Sequence, residues 1–599
     1  MLHRRVRMTL DRCAPTLVVT LAGAVAACAP EATRFPLRTP MWHDADTSPV
    51  YVRCHAEPTA ADPRHVACAP EAYDGTVYWD GADQMFFRPL AQTLGAVADR
   101  EAMDVNSLDE VPDSSWFQNR IGMRALGTDE LRLNACSKDD LLEPDAAPDG
   151  SWLIDQGKTS GSTPGFRIRV PGKGLYLVKV EANGPERQVA STVIGEAVYY
   201  AAGYNASCEQ ALWVRPSIFK VKPGLIARSG NFGDLYAFDE KAVRHLFARS
   251  TMRGGLLRVS ASAWIPGHPI GQFQYKGTRG DDPNDVVPHE HRRELRGARL
   301  LAAWLGHVDC REGNSYDTWI ADGGGPPDSS PGHVVHIQLG TSAALGNVWA
   351  WDEVSRRLNY SYVLDWDDLL TDFFSLGSVT RVYETIQKAP GHEIFGYWNV
   401  ADFDPEAWKN EYPNPAFDRM TERDAAWMAR ILARFTPAHV RALAEMGRLS
   451  DPANTAYLEQ VLNGRLRKIL ERYLLSLSPL SDVRLTSGSL CAVDLAEWRG
   501  LRAPAAFQYT ARVLGGPWLP VERGPAGVVC VRVPHVAPDG GPPDASAERY
   551  VRVRLADGVA RGPLVVHLYD QGPLRGYFLA GLERPGGRSA RESSAGSRR

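Results

Sequence analysis

The string WLGHVDCREGNSYDTW, residues 304–319, gathers the side chains of this sequence best suited to chemistry. His307 and Asp309 stand two apart, and Asn314 follows five residues after Asp309. A carboxylate in the place of Asp309 can accept or orient the proton of an attacking hydroxyl, and an asparagine five residues on can turn back to hold a magnesium ion. That pairing suits phosphoryl transfer, where catalysis is mostly positioning and neutralisation of charge. Three fixed positions arise by chance too readily to stand alone, so the reading depends on the elements around them.

Upstream, GLYLVKVE (174–181) alternates as a strand with Lys179 near its centre, after the glycine-containing segment GKTSGSTPGFRIRVPGKG (157–174). A glycine-rich hairpin followed by a strand lysine can cover phosphates with backbone amides and clamp them with an ammonium, which makes Gly161, Ser162, Gly165 and Lys179 candidate nucleotide-binding residues. The following ASTVIGEAVYYAAGYN (190–205) reads as a helix whose one acid is Glu196, the candidate carboxylate for the lysine.

The order His-x-Asp-x-x-x-x-Asn is that of the protein-kinase catalytic loop. Taken with EVPDSSWFQNRIG, STPGFRIRV, PHEHRRELRGARLLAAWLGHVDCREGNSYDTW and YPNPAFDRMTERDAAWMAR, it resembles a family of uncharacterised bacterial exported proteins. Their cores are similar to protein-kinase-like folds, in the company of HipA-type and spore-coat CotH-type kinases. The resemblance covers about residues 110–585. It implies a two-lobed α+β core with Lys179 as phosphate clamp, Asp309 and His307 in the catalytic loop, Asn314 as metal ligand, and ATP with Mg²⁺ as cofactors if the site works. One position departs. Where those kinases carry Asp-Phe-Gly, this chain has Gln338-Leu339-Gly340. A neutral amide is a poor ligand for a small, hard ion usually held by carboxylates, so the expectation is a pseudokinase acting as a binding or scaffolding module. The alternatives are an active phosphotransferase with a non-standard metal site, compensated by Asp317, Asp365, Asp367 or Asp368, and a purely structural envelope component.

The N-terminus speaks of location. Arg4, Arg5, Arg7 and Arg12 precede a short apolar run, Leu17 to Val25, as in a secretory signal, and the run ends Val25-Ala26-Ala27-Cys28. That ending resembles the bacterial lipobox, which implies lipidation of Cys28, a membrane anchor and export to the cell envelope; Ala29 after the cysteine favours an outer membrane. Two or more acyl chains would hold the protein stably, where one would not. The whole chain carries a net charge of −4, and losing the arginine-rich leader makes it more acidic, so no basic field recruits nucleic acid. The expected partners are the membrane and an unidentified envelope protein. In an oxidising compartment Cys54/Cys68 and Cys491/Cys530 are the plausible disulfide couples.

The organisation expected is a signal peptide (1–27), a tether and irregular cap (28–110), the kinase-like core (111–418), a helical extension (419–482), a β-sandwich (483–585) and a tail (586–599). In the extension, Thr421 and Asp424 form a capping-box pair. The segment HEHRRELRGAR (289–299) reads as a solvated, self-paired helix face, and His289 and His291 read as caps and packing rather than metal ligands. There is no Gly-x-Ser-x-Gly, His-Glu-x-x-His or Walker-type loop to support a hydrolase, zinc-peptidase or P-loop reading.

Overall fold

The structure is a computed structural model that describes residues 44–52, 69–73, 77–94, 100–159, 161–181, 186–230, 233–325, 330–346, 352–486, 488–536 and 549–586. Cys28, the leader, the Cys54/Cys68 couple and the tail beyond 586 lie outside these residues. The architecture mixes α and β, with several sheets and helices.

The first large sheet contains β1 (Trp152–Gly157), β2 (Gly165–Val170), β3 (Gly174–Val180), β4 (Glu209–Val214), β5 (Phe219–Val221) and β6 (Leu256–Ala263), in the order β4-β6-β3-β2-β1-β5. Period-two alternation explains it: Phe166, Ile168, Tyr176, Val178 and Val259 all point to one face and are buried in one apolar cluster. The opposite face is therefore free to carry Lys179 and the β4 acid Glu209.

Between β3 and β4 runs α1 (Arg187–Ala202), buried on nearly every side. Its start has no side-chain cap of its own; Glu181 instead accepts the backbone N–H groups of Gln188 and Val189 at 2.7 and 3.0 Å. That carboxylate satisfies orphan donors at the positive end of the helix and is itself paired with the fully buried Arg258. At the other end Gly203 takes φ +138 against the ring of Phe117, an approach that leaves no room for a side chain.

The helix α2 (Arg293–Leu305) carries Leu295, Leu301, Ala302 and Trp304 into the largest cluster, which also takes residues of α3 (Glu422–Leu432), α4 (Pro437–Met446) and α5 (Pro452–Ile469). The expected capping box of Thr421 with Asp424 is present at the start of α3. The solvated face expected for HEHRRELRGAR is not. Arg292, Arg293, Glu294 and Arg296 are buried, because acids from distant segments reach them: Asp44 for Arg292, Asp109 and Asp424 for Arg293, and Asp424 for Arg296. Spacing along a helix shows which charges neighbour one another; it does not show which partners the tertiary fold supplies.

Asp109 is the hub of this network. It receives Arg293 and Arg584 at 2.6 Å each and Arg430 at 3.4 Å. Burial alone would raise its pKa, but the three guanidiniums outweigh it and hold the carboxyl well below the usual carboxylate range. Its backbone sits at φ +60, a left-handed conformation that aspartate tolerates better than most residues.

Between Leu480 and Glu583 the described strands form a four-stranded and a five-stranded antiparallel sheet. Val551, Val553 and Leu555 alternate inward with Leu490, Val529 and Val531 of the other sheet, giving a third apolar cluster between the two. A disulfide joins Cys491 to Cys530, directly opposed in the ladder. A second joins Cys136 to Cys208 across 72 residues, a pairing the sequence spacing did not suggest, and Cys310 is a buried free thiol.

Candidate functional site

The strands that flank the catalytic-loop candidate are β7 (Ser315–Ala321) and β8 (Gly332–Gln338), an antiparallel pair in which Ser315 faces Gln338. Residues 307–314 lie between the end of α2 and β7. Here Asn314 donates its side-chain amide to the carbonyl of Asp309 at 2.8 Å. Gly340, at φ +80, lays its backbone on Asn314: an added Cβ would fall 2.6 Å from the asparagine Cβ. The structure thus brings Asp309, Asn314 and the segment after β8 together. Asp309 is partly exposed and ion-paired with Arg311, whose guanidinium occupies one carboxylate oxygen.

His307 is placed differently from a proton-transfer group. It is buried, with Nδ1 3.2 Å from the Tyr199 hydroxyl and 3.3 Å from the Cys310 sulfur. Burial pushes the imidazole down to about 4, so at neutral pH it is an uncharged packing and hydrogen-bonding residue. Burial likewise raises the Cys310 thiol well above its ordinary range, which leaves it without thiolate character.

Gln338 is turned inward. It shares a face of β8 with Val334 and His336 by strand parity, is buried, and accepts the Tyr275 hydroxyl at 3.3 Å. None of the four candidate replacements is bonded to Asn314 among the described residues. Asp317 is buried between His336 and Arg279. Asp365 pairs with Lys409, and Asp368 pairs with Arg381. These two and Asp367 line a separate cavity of about 960 Å³ together with Tyr362, Trp366 and Asp418. Among the described residues no group of three or more His, Cys, Asp or Glu side chains is disposed to hold a metal.

On the sheet side, Lys179 is partly buried, and Glu209 Oε1 stands 3.9 Å from its ammonium. Glu196, the carboxylate expected to pair with it, is held by the Ser207 backbone N–H at 3.1 Å and lies 3.0 Å from the Thr341 hydroxyl. Burial, and then the neighbouring charge of Glu209, push Glu196 up to about 8, so it is protonated at neutral pH. Gly161 and Ser162 are exposed in the hairpin between β1 and β2, and Gly165 begins β2 opposite Lys179.

Sequence reasoning missed Lys158. One residue past the end of β1, its backbone N–H reaches the carbonyl of Gly165, which in turn faces Lys179. The Lys158 ammonium donates to the Thr163 carbonyl at 2.7 Å. Gly161, at φ +80, lets the hairpin pass close over it; an added Cβ there would fall 2.7 Å from Nζ. The signal was in the sequence only as one more lysine beside glycines, and strand register is what pairs it with Lys179.

No family model and no characterised protein matches the chain by sequence. Among solved structures the Golgi casein kinase is similar over 58% of this chain and 86% of its own, at 10% identity and a TM-score of 0.26. The Golgi casein kinase with Mn/ADP bound is similar over 58% and 77%, at 10% identity and a TM-score of 0.25. Overlap this slight says nothing about the chemistry of the cleft, which rests on the side chains just described.

Proposed function

We propose that the chain is a cell-envelope lipoprotein, anchored through Cys28, whose two-lobed kinase-like core serves as a binding module and does not transfer phosphate. The helices after residue 419 extend that core, and the two sheets of residues 483–585 form a β-sandwich available to an envelope partner.

The observation that carries this reading is the direction of Gln338. Its side-chain carbonyl oxygen accepts the Tyr275 hydroxyl in the interior. Phosphoryl transfer depends on a carboxylate at that point to bring the metal against the phosphates. Asn314 with an amide, and not a carboxylate, at position 338 is a weak magnesium site, because that ion demands hard, charged oxygen ligands. Arg311 on Asp309 further competes for the oxygen that would receive a substrate proton. Location supports the same reading: two disulfides fit an oxidising compartment, where scarce ATP leaves a catalytic site mostly empty by mass action.

The test is transfer of the γ-phosphate from labelled ATP, with Mg²⁺ or Mn²⁺, to the full-length protein itself and to generic protein acceptors. No incorporation above background is expected. Incorporation that disappears in Asp309→Asn would make the chain an active phosphotransferase instead.

A further inference from the structure

We propose that the separate cavity beside the helix Trp366–Ser375 is a binding site for a short neutral oligosaccharide. Neither Asp309 nor Asn314 lines it, so the site goes beyond the kinase-like cleft and stands whether or not that cleft transfers phosphate.

Shape comes first. The cavity holds about 960 Å³, near the upper end for small-ligand sites, which gives room for several linked rings. Its lining includes the aromatic rings of Tyr360, Trp366, Phe374, Tyr383 and Trp408. Such rings offer broad apolar faces on which the C–H face of a sugar ring can pack, while the polar groups between them stay available to its edge. Phe374 is also 78% exposed, so it stands where the cavity opens to solvent, and a ligand that covers it removes apolar surface from water.

Charge comes second, and it is already answered from within. Lys409 reaches Asp365 at 2.5 Å, Arg381 reaches Asp368 at 3.1 Å and Asp372 at 2.6 Å, and Glu406 and Glu422 share Arg472. Arg299 spends its guanidinium on the backbone carbonyls of Pro405, Glu406 and Trp408. An entering anion would meet these carboxylates, and an entering cation would have to take one from its present partner, so the wall selects neither charge.

What the wall keeps is hydrogen-bonding capacity. An ionised carboxylate has about four lone-pair sites, more than its basic partner fills. Thr371 and Thr380 add hydroxyls that can donate or accept. Asp418 accepts the Gln92 amide at 2.9 Å, and burial pushes its carboxyl up to about 7, so near neutrality it can meet a hydroxyl as donor or as acceptor. An uncharged ligand with an apolar ring face and a rim of hydroxyls satisfies both halves of this lining.

The test is calorimetry on the full-length protein in a polyoxyethylene detergent, which carries no sugar. Cellotriose, chitotriose and maltotriose are titrated separately, with spermidine and citrate as charged comparisons. At least one trisaccharide should bind with a Kd below about 1 mM, more tightly than either charged compound. Phe374→Ala should weaken that binding about three- to tenfold, the scale of one lost aromatic contact. Tyr383→Ala should weaken it too, whereas Leu235→Ala, at an exposed position that does not line the cavity, should change nothing. The site is overturned if none of the three trisaccharides binds, if spermidine or citrate binds more tightly than all of them, or if affinity is unchanged in Phe374→Ala with melting temperature retained. Failure here would leave the reading of the kinase-like cleft as it stands, and phosphate transfer in the preceding assay would leave this site untouched.

Discussion

The side-chain amide of Asn314 donates to the main-chain carbonyl of Asp309, five residues back, and so closes the loop on itself. The closure fixes the side-chain amide nitrogen on the loop itself. Asn314→Ala should therefore cost about 1 kcal/mol of stability, the net worth of one hydrogen bond. Urea unfolding of the wild type and the variant reads the difference. An unchanged unfolding midpoint in Asn314→Ala would show that the closure contributes nothing to stability.

Glu196 should make the protein less stable as pH rises through neutrality. Below 4.5 it is protonated in both folded and unfolded chains. Between 4.5 and about 8 the unfolded chain releases the proton while the folded chain keeps it, so raising the pH favours unfolding, and the loss is complete above 8. Lys158 acts oppositely. Its penalty is present below about 7 and is relieved as pH rises towards 10.5. Glu196→Gln should flatten the decline between pH 4.5 and 8 by up to a few kcal/mol, measured from denaturant midpoints across that range. An unchanged slope in the variant would place the proton elsewhere.

Asp424 serves two buried guanidiniums, those of Arg293 and Arg296, each at 3.2 Å. Asp424→Ala removes the carboxylate paired with Arg296, leaves Arg293 with Asp109 alone, and removes half of the Thr421 capping box. A loss of roughly 3–5 kcal/mol is expected, the range seen when one partner of a buried ion pair is deleted. Glu471→Ala, a change at a half-exposed surface pair with Arg467, should move stability by less than about 1 kcal/mol in the same assay.

Lipidation can be read directly. Metabolic labelling with a clickable fatty acid should mark the protein, and Cys28→Ala should abolish the label and release the protein from the membrane fraction. Retention of label in that variant would remove the anchor from the account.

The parts of the molecule legible in its sequence are those whose signals are local. GLYLVKVE reads as a strand because its apolar residues alternate, and Thr421 with Asp424 reads as a helix start because capping is settled within four residues. The Cys491/Cys530 couple is close enough along the chain to consider. Cys136 and Cys208 meet only because the segment after Leu133 folds back along β4, which no spacing rule contains. The buried fate of Arg292, Arg293 and Arg296 was hidden for the same reason. In the site, the loop closure of Asn314 follows from its motif, but the choice of Glu209 beside Lys179 and the alignment of Lys158 depend on which strands are neighbours.

Asp109 and Arg584 are separated by 475 residues, yet one carboxylate closes on Arg293, Arg430 and Arg584 together. A ribosome delivers the first of these partners near the beginning of synthesis and the last when almost the whole chain has been made. Until then the hub is short of one cation, and the final strand has not reached the helices it locks against. A chain truncated upstream of Arg584 lacks one of the three cations on Asp109, and with it the contact that ties the end of the last strand to the hub.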